Sequence, residues 1–195
     1  MNKAEFFVEN ASHGDIKWIH QLETKVYSGV DVIPENVLED WYLANPAGFN
    51  IIRNLNGEPV GHIDLLPLRP EALRKFIGGR ILEKDITGAD LYTPAEKNVI
   101  KNIYVESLAL LLPLREKAAA LKKLSGCLGK LIENVADRNV VENLYAIAAS
   151  VQGETIMRKL GFNYISSGTE RIDGHKLFAA SAAGFPDRRI IQNEQ

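Results

Sequence analysis

Apolar residues recur along the chain with two periods, near two in short runs and near 3.6 in longer ones, and their alternation predicts a mixed α/β domain. Phe6-Phe7-Val8 reads as a first strand. Ser12 and Asp15 form a capping-box pair, Asp standing in for Glu, ahead of Ile16, Ile19, Leu22 and Val26 at helical spacing. Pro34-Glu35 opens a second helix with Val37, Leu38 and Trp41 inward, since proline suits the first helical position. Phe49 to Arg53 and Val60 to Leu66 are strands joined at Asn56-Gly57, a pair that tolerates positive φ. Residues 69–101 are the least regular part; Gly78-Gly79, Gly88 and Pro94 fit a short helix and a long loop, of the length usual for functional lids or disorder.

Ile103 to Leu111 is apolar enough for a central strand. The long helix after it turns Leu121, Leu124, Leu128, Leu131, Ile132 and Val135 inward and Lys122, Lys123, Lys130 and Glu133 to water. Asn143 to Ala149 is a further strand, and Gln152 to Leu160 a short helix stopped by Gly161. Tyr164 to Arg171 and His175 to Ser181 flank Asp173-Gly174, which reads as a second hairpin turn. The order is β-α-α-β-β-(insertion)-β-α-β-α-β-β. Residues 1–195 read as one domain with a charged insertion at 69–101 and a polar tail at 184–195.

Composition narrows the function classes. Of 195 residues 46% are apolar and 25% charged, and the net charge is −2. That balance argues against sequence-independent binding to nucleic acid, which needs a basic surface. One cysteine excludes an internal disulfide and a cysteine-only metal site. Met1-Asn2-Lys3-Ala4-Glu5 lacks the apolar stretch of a signal peptide, and the longest apolar run is too short for a bilayer, so a cytoplasmic protein with no membrane partner is expected. His13, His20, His62 and His175 show no metal-ligand spacing, and no metal is expected. His62 and Asp64 share one face of a strand, which reads as solvated or as bordering a cleft. Gly126-Cys127-Leu128-Gly129-Lys130 has the wrong spacing for a P-loop and falls inside an amphipathic helix.

Three local stretches, in order, resemble the GNAT acetyltransferase superfamily from Phe6 to Ser181. They are Asn56-Gly57-Glu58-Pro59-Val60-Gly61-His62-Ile63; Glu106-Ser107-Leu108-Ala109-Leu110 followed by Arg115-Glu116-Lys117-Ala118-Ala119-Ala120; and Lys159-Leu160-Gly161-Phe162. The resemblance implies a central sheet whose fourth and fifth strands splay apart, acetyl-CoA as co-substrate, and a primary amine on a small molecule or peptide as acceptor. A homodimer is also common in such proteins. Two departures stand out. Ala118 replaces the first glycine of the family's phosphate loop, and Met157 stands where the family often has a tyrosine that protonates the leaving thiolate.

The resemblance assigns Leu108, Ala109 and Leu110 to the pantetheine arm, with Ser150 at the place of a recurrent asparagine. Arg115, Glu116, Lys117, Ala118, Ala119 and Ala120 would cradle the pyrophosphate on helix N-terminal N–H groups. Alone, those six residues are simply a good helix start; the flanking strands favour the cradle. Glu106 is the candidate base, since a carboxyl group in an apolar strand can take the proton of an arriving ammonium group; a strand-end glutamate facing solvent fits as well. Tyr104 and Tyr145 are conceivable acids. The competing functions are a catalytically degenerate fold binding CoA or a protein partner in a regulatory role and, last, a nucleic-acid-associated regulator.

Overall fold

A computed structural model describes residues 5–27 and 29–185; most of the expected tail lies outside them. Phe185, at its start, is buried beside Phe162 with ring centroids 5.9 Å apart. The strands are β1 (Phe6–Asn10), β2 (Phe49–Asn54), β3 (Pro59–Leu66), β4 (Asn102–Leu110), β5 (Asn143–Ala148), β6 (Asn163–Ser166) and β7 (Lys176–Ser181). They form one sheet in the order β1-β2-β3-β4-β5-β7-β6, antiparallel except where β4 and β5 run parallel. The helices are α1 (Ile16–Val26), α2 (Glu35–Ala44), α3 (Pro70–Ile77), α4 (Leu114–Val135) and α5 (Val151–Lys159).

The helices cover both faces, so β3 is buried along nearly its whole length. Ile63, Leu65, Ile103 and Val105 pack with Leu124, Leu128 and Ile132 of α4 and Met157 of α5. On the other face Phe49, Ile51, Leu66 and Tyr104 meet Ile16 and Ile19 of α1, Leu38 and Trp41 of α2, and Phe76 of α3. Alternation along β3 therefore turns His62 and Asp64 toward α1.

The capping residue Asp15 behaves as expected, its Oδ2 accepting from Ser12 N at 2.8 Å and Ser12 Oγ at 2.7 Å. At the first hairpin only Gly57 has positive φ, at 80°, and Asn54 N donates to Glu58 O across a three-residue loop. Leu121 of α4 is half-buried rather than core. The second hairpin differs more. Its strands are shorter than the pattern suggests, and residues 167–175 form a linker held by the buried Arg171–Asp173 pair. Arg171 Nη1 also donates to Phe76 O at 2.8 Å and Ile77 O at 3.1 Å, satisfying the carbonyls that end α3.

The insertion is tied down rather than loose. Ile86, Leu91 and Ile100 are core residues. Trp41 Nε1 donates to Ile86 O at 2.9 Å, and Asn45 Nδ2 donates to Tyr92 O at 2.8 Å. These bonds hold Glu83, in a 3-10 turn, over the middle of the sheet, where Tyr104 Oη donates to its Oε1.

Gly61 sets how closely β3 and β4 approach. A Cβ there would lie 2.6 Å from Ala109 O and 2.6 Å from Leu110 Cδ2. Gly61→Ala must push the β4 backbone aside, and an overpacked core site typically costs about 1–3 kcal/mol. Urea unfolding of this variant will show a lower midpoint with an unchanged m-value.

Candidate active site

The site begins with an irregularity in β4. Asp64 pairs with Ser107 and Leu65 with Val105, leaving Glu106 as the extra residue of a β-bulge. The parallel ladder to β5 stops at the same point: its last pair is Val105 with Ala146, although β4 continues to Leu110 and β5 to Ala148. Beyond Glu106 the strands part. Each keeps its outer partner, β3 or β7, and their facing backbone edges lack a strand neighbour. The gap opens into a cavity of about 140 Å³.

Glu106, Leu108, Ala109 and Leu110 line one wall of this cavity, and Ile147 to Ser150 with Gly153, Ile156 and Met157 line the other. Lys117 of α4 reaches in from above. Tyr27, Asp31, Glu83 and His175 complete it from the α1 and insertion side. Of the residues named from sequence, Glu106, Leu108, Ala109, Leu110, Lys117 and Ser150 thus come together. Ser150 has a structural task as well, its Oγ accepting from Gly153 N at 3.0 Å to cap α5.

Arg115, Glu116, Ala118, Ala119 and Ala120 do not line the cavity. The Arg115 side chain is exposed, and Ala120 is buried against Phe6 and Leu110. The reason lies in the alanines. Helix α4 already begins at Leu114, one residue before the expected loop, and among the described residues none other than glycine has positive φ. In a continuous helix the N–H groups from Ala118 onward are spent internally. Glu116 N and Lys117 N return to Pro113 O at 2.8 and 3.0 Å, so the free donors of this helix start lie at Leu114 and Arg115.

Tyr104 and Tyr145, the acids conceivable from sequence, also lie elsewhere. Tyr104 is buried beside Phe76, and Tyr145 lines a separate groove with Arg80 and Leu177. The phenol facing the cavity is Tyr27, whose Oη is 3.3 Å from Ser107 Oγ. Burial raises its pKa, outweighing the opposing hydrogen bond to Ser107, and the nearby Glu106 and Glu23 add to the rise, so it keeps its proton at neutral pH.

The electrostatics behind Glu106 are unusual. Its Oε2 is cut off from water and has no hydrogen-bond partner. Burial pushes its pKa well above the ordinary carboxyl value, and the neighbouring Glu23, Glu83 and Asp64 push the same way. Burial also raises Glu23 to about 7 and Glu83 to about 8. Behind Ser107 lie Glu23 of α1 and His62 and Asp64 of β3, each 0% exposed. Asp64 Oδ2 is 2.8 Å from His62 Nδ1, and Glu23 Oε1 is 3.7 Å from His62 Nε2. Desolvation lowers the His62 pKa, but Asp64 and then Glu23 outweigh it and the net shift is upward. The His62–Asp64 face of β3 is therefore dry, not solvated. Glu23 carries a sequence signal of its own: it stands four residues after Ile19 on the buried face of α1.

No protein-family model matches the sequence, and no curated protein matches it either. Solved structures do match. GphF, a GNAT-like decarboxylase in complex with isobutyryl-CoA, superposes with a TM-score of 0.64 at 13% identity over 90% of this chain and 99% of that one. The chain has the GNAT fold. The loading GNATL domain of CurA from Lyngbya majuscula aligns at TM-score 0.62 and 13% identity, covering 92% and 98% of the two chains. The aminoglycoside acetyltransferase AAC(6')-Ib in complex with coenzyme A aligns at 0.57 and 14%, covering 93% and 97%. At these identities the likeness is one of architecture, and it includes the mixed central sheet expected from the sequence. No helix among the described residues is long and apolar enough to cross a membrane.

Proposed function

We propose that this GNAT-fold protein is an acyltransferase that moves the acetyl group of acetyl-CoA to a primary amine by direct attack. The observation that carries the reading is the coincidence of the β4 bulge with the end of the β4–β5 ladder, which puts Glu106 at the head of a gap with unpaired backbone edges. An arm with two amide groups, such as pantetheine, can add to such an edge as a further strand does. Leu108, Ala109 and Leu110 would hold it, with a β4 backbone N–H directed at the thioester carbonyl oxygen. The pyrophosphate would meet the free N–H groups of Leu114 and Arg115 and the ammonium of Lys117. The solved GNAT-fold structures bound to CoA or isobutyryl-CoA support this class of ligand.

The ammonium form of the acceptor has a pKa near ~10.4 and must lose a proton before attack. Ionised Glu106 takes it. The amine nitrogen then attacks the thioester carbon, negative charge gathers on the carbonyl oxygen, and the carbon–sulfur bond breaks. A thiolate of pKa near ~8.5 leaves without strong assistance. Tyr27, hydrogen-bonded to Ser107, is placed to give a proton to the sulfur, a task closed to Met157, and the second proton that the attacking nitrogen sheds as the amide forms restores the phenol. A small-molecule amine is the proposed acceptor, because the cavity is small and Tyr27, Asp31 and Glu83 line it with oxygens that can accept from an amine N–H.

A second reading, CoA binding without catalysis, is favoured by the helical alanines at the start of α4. A thermal titration separates binding from its absence. Acetyl-CoA at 100 times its Kd adds about 2.7 kcal/mol, which for a chain of this size raises Tm by roughly 5–10 °C, whereas ATP leaves it unchanged. Lys117→Ala weakens acetyl-CoA about tenfold, the worth of one charge-assisted contact. A shift without turnover on an amine panel supports the second reading, and no shift at millimolar acetyl-CoA defeats both.

A further inference from the structure

The buried group behind Ser107 contains more than an acid–base pair. Glu23 Oε1, Glu23 Oε2, His62 Nε2 and Asp64 Oδ1 are all cut off from water, and none has a hydrogen-bond partner. Unpaired polar atoms inside a protein are costly, and several converging from α1 and β3 form one problem rather than several. One donor atom from each of the three residues can be chosen so that all lie within 4.8 Å of one another. The 3.7 Å between Glu23 Oε1 and His62 Nε2 is what two ligands about 2.1 Å from a shared ion require.

We infer that Glu23, His62 and Asp64 form a binding site for one divalent first-row metal ion. Each of the three residues offers one donor atom, and the second Glu23 oxygen can complete a four-donor set once Asp64 turns from the imidazole to the ion. In the chain as it stands Asp64 Oδ2 lies 2.8 Å from His62 Nδ1, a contact that ligation by Asp64 would replace. Charge closes the argument: two carboxylates, one neutral imidazole and a dication sum to zero, the condition under which charge is tolerated in a dry interior. One imidazole nitrogen among carboxylate oxygens favours zinc or manganese over magnesium or calcium, which prefer oxygen alone. With all three residues fully buried, the site is closed and holds α1 against β3. None of the three residues lines the cavity, so the assignment rests on observations separate from the acyl-transfer reading.

The test uses the full chain without a purification tag, stripped by chelator and titrated with ZnCl2, MnCl2 and MgCl2, while bound metal is counted by mass spectrometry and Tm is recorded. The expected result is one equivalent of zinc or manganese and a Tm increase of about 5–10 °C at 100 times Kd, with no response to magnesium. Glu23→Gln and Asp64→Asn should lose the bound metal while remaining folded by circular dichroism. If either fails to fold, Co2+ added to the wild-type chain decides the matter, because a site with this donor set gives the intense visible bands of four-coordinate cobalt. Failure to bind a stoichiometric ion, binding that survives both substitutions, or the weak spectrum of six-coordinate cobalt overturns the assignment.

Discussion

Glu106→Gln will lower kcat for acetyl transfer by about 10²- to 10³-fold near neutral pH and leave acetyl-CoA binding nearly unchanged, because the loss is that of a general base and not of a binding contact. The pH dependence is the sharper part of this expectation. Burial, together with Glu23, Glu83 and Asp64, raises the Glu106 pKa well above the ordinary carboxyl value, so the share of wild-type enzyme carrying an active base still grows with pH where an ordinary carboxyl group is already ionised. Activity should therefore climb as pH rises toward the Glu106 pKa and then level off. The variant has no such group and can use only the small neutral fraction of the amine, so its rate should rise steadily toward the amine pKa and its deficit shrink. Steady-state kinetics from pH 6 to 10 on both proteins checks this. A constant ratio across that range would remove Glu106 from proton transfer.

What the sequence made legible is what local chemistry controls. Periodicity located the strands, the last hairpin's bounds apart, and every helix but α3, because each needs only its own run of apolar positions and its own cap, as at Ser12 and Asp15 or at Gly161. Glu106 could be named as a carboxylate in an apolar strand, whereas Leu108 to Leu110 could be named only through the family resemblance. The bulge that turns Glu106 into the gap left no such mark. Val105-Glu106-Ser107 contains neither glycine nor proline, and the irregularity becomes visible only when β3 is laid beside it. The helix start at Leu114 was legible only as an alternative, since alanine favours helix whether or not phosphate is nearby.

Partners far apart in sequence account for the rest. His175 Nε2 lies 2.8 Å from Asp31 Oδ1 across 144 positions, and Glu23 meets His62 from another element. Metal-ligand spacing is informative when two ligands share a helix or a turn; here α1 supplies one and β3 two. Alternation along β3 correctly put His62 and Asp64 on one face but could not say what covers it. That cover comes from α1, whose buried stripe includes a glutamate. Polar residues under a covering helix are the places where a local reading and the folded chain part company, and here they cluster behind the candidate base.

Glu83→Gln should stabilise the protein at alkaline pH and change it little in acid. Burial is the main cause of the Glu83 shift to about 8; Tyr104 opposes it through a hydrogen bond, and Glu23, Asp173 and Asp31 add to it. In the unfolded chain the same carboxyl group titrates near its model value of 4.5. Between these values the folded state holds a proton that the unfolded state has released, so this group's contribution to stability is complete below about 4.5 and is lost as pH rises through about 8. Glutamine keeps the carbonyl oxygen to which Tyr104 donates and does not ionise. At pH 5 the variant and wild type should therefore unfold at similar urea concentrations. At pH 9 the wild type carries a charge in a poorly hydrated place, and the variant should be more stable by about 2–3 kcal/mol, allowing for solvent at the cavity edge. Acetyl transfer supplies an independent readout: removing the Glu83 charge eases ionisation of Glu106, so the rising limb of its pH–rate profile should move to lower pH in Glu83→Gln. A stability difference constant from pH 5 to 9, with an unmoved limb, would show that Glu83 is ionised throughout and that the insertion does not tune the base it covers.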